Sequence, residues 1–137
     1  AFFDHQGTHW APHLIHRYYW NKIGGLSEEF NPGIGSDPDL NFKLWKNNVR
    51  IFKGLEKFRV YHFGSISLRK KNDLVRNKGA KSFLLKWGIT VDFFKKYYLR
   101  TGKKYIGPLN EPAKNFTYFI DLFISKIKFL KLILFKS

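Results

Sequence analysis

The chain is short, rich in aromatic residues and strongly basic. Its 137 residues are enough for one domain, and 44% hydrophobic with 19% aromatic residues excludes a disordered chain. The absence of cysteine excludes a disulfide framework and a thiolate metal site. The formal net charge is +15, with the excess after residue 60. This excess is typical either of a solvated surface or of binding to anions such as lipid headgroups, a diphosphate or nucleic acid.

The first sixteen residues are predicted to form a short strand or loop, a turn at Gly7, and a second short strand over residues 13–16. Four histidines in this region raise the question of a metal cluster. Gly7 and Pro12 argue against one helix that would align them, and no metal-binding spacing is present. We therefore favour polar loop residues beside a cleft. The four are His5, His9, His13 and His16.

A helix is predicted over Arg17–Ile23, ended by Gly24 and Gly25, with its aromatic residues in the core. A glycine-broken loop follows, and then Asp37-Pro38-Asp39 before an amphipathic run. This pattern predicts a helix from Pro38 to about Asn47, because proline suits the first helical position. Asp37 would then be the N-cap, and Asp39 would lie in the first turn near the positive end of the helix dipole.

The second half of the chain is predicted to be mostly helical. Strands are expected over residues 49–52 and 58–63, and a basic loop over residues 65–72. Helices are then expected over Asp73–Lys86, weakened near Gly79, and over Val91–Arg100, capped by Thr90. Residues 103–113, with two prolines, are predicted to be a linker.

Residues 115–137 form a basic amphipathic segment. At 100° per residue all of its polar side chains except Lys126 fall on one side, and a wide band of Phe, Ile and Leu falls on the other. Four lysines and one aspartate argue against a membrane-spanning helix. We expect a helix lying in a membrane interface, and the alternative is a helix that packs its apolar side on the domain or on a second copy.

Three stretches, in this order and spacing, resemble the second half of a family 2 glycosyltransferase catalytic domain. They are Trp20-Asn-Lys-Ile-Gly-Gly-Leu-Ser-Glu-Glu-Phe30, Gly33-Ile-Gly-Ser-Asp-Pro-Asp-Leu40 and Gly54-Leu-Glu-Lys-Phe-Arg-Val-Tyr-His-Phe-Gly64. The family pattern is an aromatic helix with Gly-Gly, an acidic loop that opens the next helix, and a strand ending in His. Ser36 stands where the acidic loop of the family often has Glu. The resemblance covers about residues 8–70.

The resemblance implies an α/β fold, namely the C-terminal half of a GT-A-like domain, with short strands, flanking helices and an added C-terminal amphipathic helix. Residues 1–72 would belong to the catalytic domain, 73–114 to a helical extension and linker, and 115–137 to the amphipathic helix. The nucleotide site of the family lies in its N-terminal half, and no Asp-x-Asp precedes Ala1. We therefore expect a fragment that is inactive on its own.

The resemblance also implies the chemistry and the residues that perform it. Such enzymes transfer a sugar from a nucleotide-sugar donor to an acceptor hydroxyl with inversion. Asp37 matches the catalytic base, and Asp39 would order the loop or contact the acceptor. Trp10 could stack on a sugar, although a half-buried aromatic is the simpler interpretation, and Arg69 could bind the diphosphate. His62 would be a ligand of a divalent cation, Mn²⁺ or Mg²⁺, with further ligands in the N-terminal half, or else a contact of the diphosphate.

The expected setting is the synthesis of cell-surface polysaccharide or glycolipid. The acceptor would be a glycan or a lipid-linked glycan, and the protein would be cytoplasmic, peripheral on the inner face of an anionic membrane. The alternative function is a basic module that binds membrane or nucleic acid without catalysis. Nucleic acid is the less favoured partner, because residues 1–60 are nearly charge-balanced and contain no nucleic-acid-binding motif.

Overall fold

The computed structural model describes residues 3–31, 34–58, 60 and 73–135, and within this part the protein is a small mixed domain of helices and short strands. The helices are α1 (Arg17–Ile23), α2 (Ser36–Lys46), α3 (Asp73–Trp87), α4 (Val91–Phe93, continued by a π-helix over Phe94–Leu99) and α5 (Phe116–Leu134). A 3₁₀ helix covers Glu28–Phe30. The strands are β1 (His5–Gln6) and β2 (Lys53–Gly54).

The sheet is small and antiparallel. His5 of β1 lies opposite Gly54 of β2, and on its other side His5 forms a bridge with Lys104. The Gln6 amide donates to the Lys103 carbonyl at 2.7 Å. Residues 103–105, part of the predicted linker, therefore run along the sheet. This architecture agrees with the general α/β class, but the part of the chain that is described contains no parallel sheet of the GT-A type.

The core is built around α2, whose apolar side chains are almost completely buried. The Phe42 ring lies 4.6 Å from that of Trp87 in α3 and 4.7 Å from that of Phe94 in α4, measured between centroids. Trp45, one turn later, packs edge-on against Tyr98 at 5.3 Å. Such edge-to-face contacts add to the stabilisation that comes from burying large aromatic side chains. The start of α2 is consequently held rigidly.

Helix α2 begins earlier than predicted. Its first residue is Ser36 and its N-cap is Gly35, which has a positive φ of 93°. The predicted positions of Asp37 as N-cap and Pro38 as first residue are therefore wrong by two residues. The reason is tertiary: the loop before α2 crosses α3 so closely that a Cβ on Gly79 would lie 2.1 Å from the Ile34 carbonyl oxygen. This crossing fixes where the helix starts, and glycine tolerates the positive φ that it requires.

Helix α5 packs on α3 and α4 with the face that carries Tyr118, Asp121 and Ser125. Asp121 accepts hydrogen bonds from Lys96 Nζ and from Tyr97 Oη, both at 2.6 Å. Ser125, almost completely buried, accepts from the Thr90 amide at 2.8 Å. Most of the apolar side faces outwards, so the alternative in which that side packs on the domain is wrong, whereas the membrane interface and the second copy stay predictions. Among the described residues, none of the helices combines the length and apolar composition needed to cross a membrane.

Candidate active site

A cleft of about 440 Å³ opens between the segment that precedes α1, α1 itself and the start of α2. Its volume lies within the range of small-molecule sites. Both apolar and ionisable side chains line it. The lining residues are Ala11, His13, Ile15, Arg17, Trp20, Leu26, Asp37 and Leu40.

Asp37 is the acid of this cleft. It lies in the first turn of α2, where the helix dipole favours a negative charge, and it is not the N-cap, which is Gly35. Its backbone carbonyl accepts from Asn41 Nδ2 at 2.7 Å, and one third of its side chain is exposed. A carboxylate that is released from capping and fixed on a rigid helix start can meet a ligand in the cleft.

His13 holds the Asp37 carboxylate. Its Nε2 lies 3.2 Å from Asp37 Oδ1, and its side chain is 19% exposed. When the ring carries its proton on Nε2, it donates to the carboxylate and orients it. Within the described part of the chain, no side chain is bonded to Oδ2, so that oxygen can accept a proton from a ligand hydroxyl. Sequence analysis expected the histidines beside a cleft but did not select His13.

His9 lies behind this pair and is buried. Its Nδ1 is 3.3 Å from the Gly7 carbonyl oxygen, and its own carbonyl accepts from Asn41 Nδ2 at 3.2 Å. Burial lowers the pKa of the His9 imidazole below its ordinary value. Asn41, which bonds the backbone of both His9 and Asp37, ties the histidine segment to α2.

Arg17 and Trp20 complete the cleft from α1. They stand three residues apart and therefore on one face of that helix. Trp20, predicted to be a core residue, is 39% exposed. An aromatic face and a guanidinium are suited to a polar ligand with a flat apolar side. The i, i+3 spacing was the signal in the sequence that could have identified them.

Asp39 has a different environment from Asp37. Its side chain is fully buried, with Ser27 Oγ donating to Oδ2 at 2.6 Å and Trp87 Nε1 donating to Oδ1 at 2.8 Å. Lys86 Nζ lies 3.0 Å from Oδ1. Burial opposes the charge of Lys86, yet its hydrogen bonds to Glu29 and Asp39 raise its pKa overall. These contacts fit the predicted role of Asp39 in ordering the loop. Because its carboxylate has no exposed surface, it cannot contact an acceptor.

Of the remaining predicted site residues, only Trp10 is described, and it is not part of this cleft. Trp10 is 66% exposed and packs on the His9 ring at 4.8 Å, outside the set of lining residues. His62 and Arg69 lie outside the described residues, so their roles stay predictions. Across residues 3–31, 34–58, 60 and 73–135, no group of three His, Asp or Glu could hold a metal ion. The described residues therefore do not by themselves fit the expected divalent cation.

Comparisons with protein-family models, with curated proteins and with solved structures gave no match to this chain. The likeness to family 2 glycosyltransferases consequently rests on the three sequence stretches. The cleft that contains Asp37 is a geometric observation that does not depend on these stretches.

Proposed function

We propose that this chain contributes the acceptor side of the active site of an inverting glycosyltransferase. Asp37 is the base that removes the proton from the acceptor hydroxyl as that oxygen attacks the sugar carbon and the nucleoside diphosphate leaves. The observation that carries the proposal is the partly exposed Asp37 carboxylate, bonded to His13, in the wall of a cleft of about 440 Å³.

The other lining residues have roles in the same proposal. His13 orients the carboxylate so that its second oxygen points to the acceptor, and Trp20 offers an aromatic face to the apolar side of a sugar ring. Arg17 donates hydrogen bonds to hydroxyl or phosphate oxygens. All three lie in the lining of the cleft with Asp37. The acceptor is a glycan or a lipid-linked glycan.

The donor side rests on the sequence resemblance alone. A nucleotide-sugar would bind with Arg69 near its diphosphate and with His62 at a divalent cation. The setting would be the synthesis of cell-surface polysaccharide or glycolipid at the cytoplasmic face of a membrane. Binding of an acceptor saccharide in the cleft does not require the donor side, so it can be tested separately from transfer.

The decisive experiment is a sugar-transfer assay of the gene product that carries this sequence. We expect Asp37→Asn to lower kcat by about 10² to 10⁴, the usual contribution of a general base. His13→Gln should lower kcat less, because it removes the orientation of the base and leaves the base itself. Asp92→Asn is the matched control: Asp92 is also an acid in the first turn of a helix, but it is not part of this cleft.

Binding of saccharide to the 137-residue chain supplies a second readout. NMR titration should shift the His13 and Trp20 side-chain signals of the wild type, and these shifts should weaken in Asp37→Asn. Undiminished transfer by Asp37→Asn, or saccharide binding that leaves the cleft signals unmoved, would contradict the proposal.

A further inference from the structure

The outer face of α5 is apolar and uncovered within the described structure. Its side chains are between 37% and 74% exposed, although a helix on a domain surface normally turns such residues inwards. They form one continuous strip along the helix at 100° per residue. A strip of this kind marks an interaction site. Its members are Phe119, Ile120, Phe123, Ile124, Ile127, Leu130 and Leu134.

The orientation of α5 is fixed by specific contacts on its inner face. Tyr118 is buried with its ring 5.1 Å from that of Phe93. Asp121 is bonded to α4, and Ser125 accepts the Thr90 amide, as described above. Turning the helix to bury its apolar strip would break these bonds and leave polar groups without partners. The fold therefore presents the strip outwards.

Positive charge borders the strip. Lys126 and Lys128 stand on either side of it at 100° per residue, and Lys131 stands within it near the C-terminal end; all three are exposed. Asp121, the acid of α5, is paired with Lys96. The surface is therefore mainly apolar with lysines at both edges, within a chain of net charge +15.

The charge of α5 favours a lipid surface over a second copy of the chain. Pairing two copies through this face would bring their lysines together, whereas a bilayer accepts the apolar strip and anionic headgroups neutralise the lysines.

We propose that α5 docks on an anionic lipid bilayer, lying in the plane of the interface with its apolar strip in the acyl boundary and its lysines among the headgroups. The domain then sits on the water side, held by the inner face of the same helix. This proposal does not depend on the proposed sugar transfer.

The test is co-sedimentation of the full chain with vesicles of phosphatidylcholine containing phosphatidylglycerol, compared with vesicles of phosphatidylcholine alone. We expect clear binding to the anionic vesicles. Phe123→Asp should weaken it at least about tenfold, because a large apolar side chain leaves the acyl boundary. Ile106→Asp, at an even more exposed apolar residue outside α5, should bind as the wild type does.

Two further variants separate the components of binding. Lys128→Gln with Lys131→Gln should lower affinity for anionic vesicles by about twenty-fivefold, near fivefold for each lysine, and change binding to neutral vesicles little. Asp37→Asn should bind as the wild type does, which keeps this result distinct from the sugar-transfer test. Urea denaturation confirms that each variant is folded.

Two results would overturn the proposal. One is a folded wild-type chain that does not bind anionic vesicles. The other is a dimer in light scattering that Phe123→Asp dissociates, since the strip would then be an interface between copies of the chain.

Discussion

At the scale of single residues, Asp37 and Asp39 have opposite environments although they stand two positions apart. Asp37 is one third exposed and bonded to a histidine in a cleft. Asp39 is fully buried, and Ser27, Lys86 and Trp87 surround its carboxylate. Successive positions of a helix lie 100° apart, so two residues of the same type can face the ligand side and the core side.

Replacing Asp39 should therefore destabilise the fold, whereas replacing Asp37 should not. In Asp39→Ala the Lys86 ammonium and the Trp87 indole N–H lose their shared partner, and we expect a loss of about 3 kcal/mol in the free energy of unfolding. Asp37→Ala loses one partly exposed hydrogen bond and should cost about 1 kcal/mol or less. Urea denaturation followed by circular dichroism measures both, and equal midpoints would contradict this assignment.

The sequence selected Asp37 as the candidate acid and correctly placed Asp39 in the first turn of the helix, but it expected Asp37 at the N-cap. It could not show which was buried, because the partners of Asp39 come from the 3₁₀ segment and from α3, up to 48 positions away. For the same reason His13 was not selected: its partner Asp37 lies 24 positions later. Contacts over such separations are decided by packing and leave no local pattern.

At the scale of elements, the crossing of α3 by the loop before α2 depends on the absence of two side chains. A Cβ on Gly79 would meet the Ile34 carbonyl oxygen at 2.1 Å, and a Cβ on Gly35 would meet the Gly79 carbonyl oxygen at 3.0 Å. The sequence suggested only that Gly79 weakens a helix. In the fold it is the point where two segments touch.

This crossing predicts that a glycine-to-alanine substitution inside a helix lowers the free energy of unfolding. Glycine to alanine inside a helix normally stabilises by about 1 kcal/mol. Gly79→Ala should instead lower the free energy of unfolding by about 2 kcal/mol, because the new methyl group forces the loop away from α3. The matched control is Ala80→Gly at the exposed neighbouring position, which should cost about 1 kcal/mol from helix propensity alone. A stabilised Gly79→Ala would show that the two segments do not touch.

Helices were the elements that the sequence predicted best. The prediction for α1 matches its bounds, and Thr90 caps α4 as expected by accepting from the Phe93 amide. The predicted C-terminal segment begins at Asn115, which is the N-cap of α5. These features are local: caps, glycines and a period of 3.6 residues. The orientation of α5 was not predictable in this way, because the residues that bond Asp121 and Ser125 lie in α4 and at its N-cap.

At the scale of the whole molecule, the excess of positive charge opposes the compact state. The net charge is +15 in 137 residues, and like charges on one small domain repel each other more when salt is low. Ion pairs such as that between Lys96 and Asp121 weaken as salt rises, but each exposed pair contributes little. Repulsion among the lysines should therefore dominate the response to salt.

We expect Tm to rise by about 4 °C when ionic strength increases from about 0.01 M to about 0.2 M. This corresponds to about 1 kcal/mol for a chain of this size, as the screening length falls from about 30 Å to below 10 Å. Differential scanning calorimetry measures the shift.

A variant with Lys57→Glu, Lys78→Glu and Lys114→Glu, all at exposed positions, should melt higher at low salt and respond less to added salt. Any effect of salt on apolar hydration is common to both proteins, so the difference between their responses isolates the charge repulsion. Equal responses would mean that the excess charge does not govern stability.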